Sequence, residues 1–242
     1  MFIIFTILIL ISAICLAQET TELAQYYCDT VNCDPQQSIA CQYTSNPNMK
    51  CNGQLRRVNR NLIVDFFNSK RNDIALGIVP GYDQAVKMET IEWNTELEQM
   101  ARYNVMTCKF GHDKCRNTDN FVQSGQNLYY QWNTNSNLNT DGVVLEGLQA
   151  WFDEYQDCDM SYIDSYHNSP NMIGHFTIMV KEDNNRLGCA LNKYPSDGGT
   201  TYLLACNFAT TNIYDEPIYI SGPTASECPA GTNPQYYGLC AP

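Results

Sequence analysis

Leu187-Gly188-Cys189-Ala190-Leu191 and Tyr202-Leu203-Leu204-Ala205-Cys206 stand on either side of Pro195-Ser196-Asp197-Gly198-Gly199. Two apolar runs too short for ordinary helices, joined through turn-forming residues, read as a pair of antiparallel strands. A third short run, His175-Phe176-Thr177-Ile178-Met179-Val180, precedes turn-rich Asp183-Asn184-Asn185 and is expected to be a further strand. Upstream the period changes to that of helices. Leu55, Val58, Leu62, Ile63, Phe66, Phe67 and Ile74 recur at helical spacing, and Gly77 with Pro80-Gly81 stops the run, so a first helix is expected over 55–77. Thr95 and Glu98 fit a capping box that opens a second helix, with Trp93, Leu97, Met100, Ala101 and Val105 on one face. Val144, Leu148, Trp151 and Tyr155 mark a third over 141–157, after an Asn-rich surface loop at 133–139. Helices gathered first and hairpin strands afterwards indicate an α+β protein, helices packed on an antiparallel sheet.

The remaining sequence sets the compartment. Residues 1–17 form a nearly unbroken apolar run ending in Cys15-Leu16-Ala17 ahead of polar Gln18-Glu19-Thr20, and are read as a signal peptide. Its removal leaves about 225 residues, enough for one sizeable core. No other apolar stretch is long enough to cross a membrane, so the mature form is expected to have no span. Of the 12 cysteines, Cys15 lies in the leader. The remaining odd number points to disulfides in an oxidising, extracellular setting with one thiol left over. Residues 18–54 read as an irregular, cysteine-rich arm, 55–212 as the body and 213–242 as a short tail carrying one disulfide. The formal net charge of -12 argues against nucleic-acid, heparin-like and membrane-surface partners.

Gly174-His175-Phe176-Thr177 and Tyr202-Leu203-Leu204-Ala205-Cys206-Asn207-Phe208 resemble the two signature segments of the CAP superfamily, the cysteine-rich secretory, antigen 5 and pathogenesis-related-1 proteins. Cys108-Lys109-Phe110-Gly111-His112-Asp113-Lys114-Cys115 and Gly125-Gln126-Asn127-Leu128 look like the antigen 5 branch of insect saliva and venom. Ser226-Glu227-Cys228-Pro229, Asn233-Pro234 and Cys240 look like fly members in particular. The resemblance implies an α-β-α sandwich. It also implies the bridges Cys28–Cys41, Cys33–Cys115, Cys51–Cys108 and Cys189–Cys206, which leaves Cys228 with Cys240 in the tail and Cys158 as the free thiol. Two departures stand out: Ile178 where many members have Gln, and Phe67 where the first-helix motif commonly has His.

The same resemblance places His112 and His175 on one cavity, joined by Glu154 and, where the family usually has Glu, by Gln126. Two imidazoles and a carboxylate are a sound ligand set for zinc or a similar divalent ion, and the neutral Gln126 should weaken binding. The same residue types also suit a satisfied polar network that positions helices on the sheet. A metal-dependent hydrolase is a third reading, but no Gly-x-Ser-x-Gly elbow or His-Glu-x-x-His helix occurs, and Ser124 and Ser169 near the motifs are read as chance neighbours. The sequence therefore favours a secreted, non-enzymatic binding module for an extracellular protein or a lipid or sterol ligand. Aromatic segments read as loops, Tyr129-Tyr130-Gln131-Trp132 and Tyr236-Tyr237, are candidates to line such a ligand's channel. His167 is expected on the surface.

Overall fold

A two-residue turn joins the two longest strands among the described residues. Asp197 and Gly198 both adopt positive φ, 46° and 74°, the two-residue hairpin geometry that Asp-Gly favours because its twist matches that of the strands. It connects β4 (Arg186–Ser196) to β5 (Gly199–Phe208), and puts Cys189 directly opposite Cys206. The computed structural model describes residues 25–242, so the leader assigned to 1–17, with Cys15, lies outside the described residues.

The remaining strands are β1 (Gln54–Arg56), β2 (Glu92–Trp93) and β3 (Gly125–Asn133), and the sheet runs β1-β4-β5-β3, with β2 parallel to the start of β4. Helices are α1 (Ile39–Ser45), α2 (Arg60–Ala75), α3 (Thr95–Val105), α4 (Thr140–Asp153), α5 (Met160–Asp164) and α6 (Gly174–Met179). Leu187, Cys189, Leu191, Tyr202, Leu204, Cys206 and Phe208 pack on one side against Ile63, Phe67, Leu148, Trp151 and Phe176 of α2, α4 and α6. Ala190, Leu203 and Ala205 pack on the other side against Ala101 and Val105 of α3. This is an α-β-α sandwich. Covering both faces explains why β4 and β5 read as continuous apolar runs rather than alternating ones. Gly188 lets α3 approach, because a Cβ there would lie 2.1 Å from the backbone nitrogen of Glu98.

Five local expectations are corrected. The run at His175–Val180 is the short helix α6, not a strand, because distant groups described below satisfy both its ends. Tyr129-Tyr130-Gln131-Trp132 is not a loop but the second half of β3, paired residue by residue with β5. The first helix begins at Arg60, leaving Leu55 exposed on β1. The third ends at Asp153 and tightens into a 3-10 turn, Glu154–Asp157. The cap of α3 is Asn94, whose side chain accepts from the backbone N–H groups of Glu96 and Leu97, while Glu98 is committed elsewhere.

The N-terminal arm is more ordered than its sequence suggests: Tyr27, Ile39 and Ala40 form an apolar cluster with Met100 and Tyr103 of α3. The tail adds Ile218, Tyr219 and Leu239 to the main core. The bonded cysteine pairs are Cys28–Cys41, Cys33–Cys115, Cys51–Cys108, Cys189–Cys206 and Cys228–Cys240. Among the described residues Cys158 is the free cysteine, and it is buried. Among the same residues no helix is long and apolar enough to cross a membrane.

Arg71 of α2 is fully buried, with no carboxylate in contact. Its guanidinium donates instead to the carbonyl oxygens of Glu89, Met179, Lys181 and Glu182 at 2.7–3.3 Å. Burial lowers its pKa to about 10, still cationic at neutral pH. One side chain thereby fixes the end of α6 to the core.

Candidate functional site

Helix α6 has no side-chain cap of its own, since its N-cap residue is Ile173. Glu154, at the end of α4, supplies the missing acceptor: its Oε2 takes the backbone N–H groups of His175 and Phe176 at 2.9 and 3.1 Å. Its Oε1 lies 2.6 Å from Nδ1 of His175. A carboxylate can only accept, so Nδ1 carries the proton and Nε2 is turned away from Glu154. Trp151, one turn earlier on α4, stacks on the imidazole with centroids 5.9 Å apart. Asn127 of β3 donates to the His175 carbonyl at 3.1 Å.

His112 sits on a loop whose two ends are pinned by Cys51–Cys108 and Cys33–Cys115. Its Nδ1 lies 2.9 Å from Oε1 of Gln126. The amide orientation of Gln126 is fixed by its own donors, because Nε2 bonds to Asp113 Oδ2 at 2.8 Å and to Asn207 Oδ1 at 3.0 Å. The oxygen must then face His112, which makes Nδ1 of that ring the N–H as well. Asp113 also accepts from Asn104 at 2.6 Å and lies 3.6 Å from Arg116. Burial raises the Asp113 carboxyl, opposed mainly by Arg116. The His112 pKa is lowered, first by desolvation, so this ring is the neutral form at physiological pH.

Both imidazoles line a cavity of about 450 Å³, together with Gln126, Asn127, Tyr166 and Asn212. Glu154 and Gln126 thus stand behind the two rings, each on one Nδ1, rather than beside one another. Among the described residues no three His, Cys, Asp or Glu side chains are gathered as a metal-holding group. Neither serine singled out from the sequence bonds to a histidine: Ser124 donates to the Phe208 carbonyl, and Ser169 accepts from Asn171. His167 is exposed, stacked on Tyr162. Sequence reasoning missed Asp113 and Asn207, which orient Gln126. The available signal was Asn207, a lone amide inside the apolar run of β5.

Comparison with known proteins follows this geometry. The model of the cysteine-rich secretory protein family, CAP, matches residues 64–208. Venom allergen-1 of Aedes aegypti is 38% identical over 224 residues, covering 89% of this chain and 87% of the relative. The antigen 5 like allergen Cul n 1 of Culicoides nubeculosus is 41% identical over 143 residues, covering 56% of this chain and 64% of the relative. Among solved structures, that of NaASP2 with Zn2+ superposes with a TM-score of 0.60 at 21% identity, covering 79% of this chain and all of the other, a likeness of fold.

Proposed function

The chain belongs to the cysteine-rich secretory protein (CAP) family, among the venom allergen and antigen 5 proteins of insects, and on that premise we propose a secreted, non-enzymatic binding module with a weak divalent-metal site. The carrying observation is the matched pair of tautomers. Each imidazole has its Nδ1–H committed to a dedicated acceptor, so each keeps an Nε2 lone pair on the side away from that acceptor. Two such nitrogens on one cavity suit zinc, with water completing the coordination.

In this reading His112 and His175 hold the ion, while Glu154 and Gln126 orient the rings. A bound ion would act as a Lewis acid and would tie the pinned loop to α6. Glu154 increases the donor strength of His175, whereas the neutral Gln126 adds no charge behind His112, which keeps affinity weak. The NaASP2 structure with Zn2+ supports the choice of metal by analogy of fold. Contact with an extracellular partner is supported by the exposed aromatics Phe110 and Tyr130, 4.7 Å apart at their centroids, beside Trp132 on the edge strand β3.

Zinc calorimetry and native mass spectrometry of the secreted chain test the reading. Binding is expected in the wild type and absent in His112→Ala and in His175→Ala. Equal affinity in all three would leave the cluster as a hydrogen-bonded network joining loop, helix and sheet.

A further inference from the structure

A cavity larger than the one at the histidines lies elsewhere in the molecule. A groove of about 800 Å³, sharing no lining residue with the histidine cavity, opens where β1, the start of α2, α3 and the first turn of α4 converge. That volume is in the range of small-molecule sites, roughly 300–1,000 Å³. Its walls carry Arg56, Arg57, Arg60 and Arg102 against two carboxylates, Glu98 and Asp141. The local balance is therefore +2, four positive minus two negative, in a chain of formal charge -12. Four of the 14 basic residues gather at this one place, so the net charge conceals a local field of opposite sign.

Two of the arginines share a single carboxylate and the other two have none among the described residues. Glu98, 5% exposed, accepts from Arg60, from Arg102 and from the Trp93 indole, and so has no capacity left over. It acts as a buried anchor that sets two guanidinium groups on the groove wall, Arg60 also lying over the Trp93 ring at 5.4 Å. Arg60 keeps its Nε and one terminal nitrogen without a partner among the described residues. The side chains of Arg56 and Arg57 are exposed and make no hydrogen bond or ion pair among those residues. The two free guanidinium forks of Arg56 and Arg57, with the spare donors of Arg60 beside them on one concave wall, match the several oxygens of a multiply charged oxyanion, which guanidinium binds in bidentate fashion.

We propose that this groove is an anion-binding site, separate from the histidine cavity, that takes a small molecule bearing a phosphate or sulfate group. The concave wall favours a compact ligand over a long polyanion, because a chain with a net charge of -12 repels negative charge that extends beyond the groove. Binding is expected to weaken with added salt, since Arg56 and Arg57 are open to solvent.

The test is calorimetric titration of the full secreted chain with inorganic pyrophosphate, inorganic sulfate and a heparin hexasaccharide at low and physiological salt. Pyrophosphate or sulfate should bind at one site, the tighter of the two naming the group. Affinity should fall about tenfold or more in the Arg56→Gln/Arg57→Gln variant, the loss expected for charge-assisted hydrogen bonds. A charge-matched Lys109→Gln/Lys114→Gln variant at exposed sites should bind as the wild type does. His112→Ala should also leave binding unchanged, which separates this site from the metal reading. Both groove substitutions fall on side chains without partners, so circular dichroism should show an intact fold. Equal binding in the groove variant, an equal loss in the lysine control, or binding of heparin alone would overturn the proposal.

Discussion

Glu154→Gln should invert the tautomer of His175 while leaving the sandwich folded. The carboxylate now accepts three donors, two backbone N–H groups at 2.9 and 3.1 Å and the imidazole Nδ1–H at 2.6 Å. An amide has one oxygen. If that oxygen keeps the two backbone groups at the start of α6, the new NH2 points at His175, whose Nδ1 must become the acceptor and whose Nε2 must take the proton. The opposite flip would set the NH2 against two backbone N–H groups and costs more, about 1–3 kcal/mol for each donor left unsatisfied. Exchanging charge-assisted for neutral hydrogen bonds should itself cost about 1–3 kcal/mol in stability, well short of unfolding. The larger consequence is chemical. With a proton on Nε2 the ring has no lone pair toward the cavity, and zinc affinity should fall about 10- to 100-fold. Nitrogen-15 spectra of the imidazoles report the tautomer without any metal, and calorimetry reports the zinc. A variant that folds, keeps its proton on Nδ1 of His175 and binds zinc as before would refute the argument.

Two further perturbations probe the frame around the site. Arg71→Met removes the guanidinium from four carbonyl groups and leaves those of Glu89 and Met179 without their donor, while Lys181 and Glu182 keep the backbone N–H groups of Asn184 and Glu89; breaking this network should cost about 4 kcal/mol, so calorimetry should show Tm lower by roughly 8–16 °C. A fall of only a degree or two would mean that water replaces the guanidinium freely. Cys158 is buried and its thiol is pushed up to about 11, chiefly by desolvation, so at pH 8 about one molecule in 10³ carries the thiolate. Iodoacetamide should modify the native chain slowly, faster as pH rises toward 11, and rapidly only once denaturant opens the core. Fast, pH-independent labelling of the folded chain would contradict that environment.

Much of this molecule is legible in its residues. The β4–β5 hairpin is written in two apolar runs about an Asp-Gly turn, and α2, α3 and α4 in apolar positions three and four residues apart. The histidines stand out by rarity, three in the chain, and by their motifs. What the sequence does not decide is which short segments become helix or strand, and which polar groups meet. Gly174–Met179 has the composition of a strand, yet it is a helix because Glu154, about twenty residues away along the chain, supplies its N-terminal acceptor, and Arg71 of α2 takes the carbonyl at its end. Tyr129–Trp132 looks like an exposed aromatic loop, yet it is a strand because β5 offers a ladder of backbone partners along its whole length. Of the four arginines of the groove, Arg56 ends β1, Arg57 follows it and Arg60 opens α2, whereas Arg102 lies on α3, and nothing in the sequence joins Arg102 to the other three. A backbone or charged group is settled by whichever partner finally stands within about 3 Å of it, and chain folding, not sequence neighbourhood, chooses that partner.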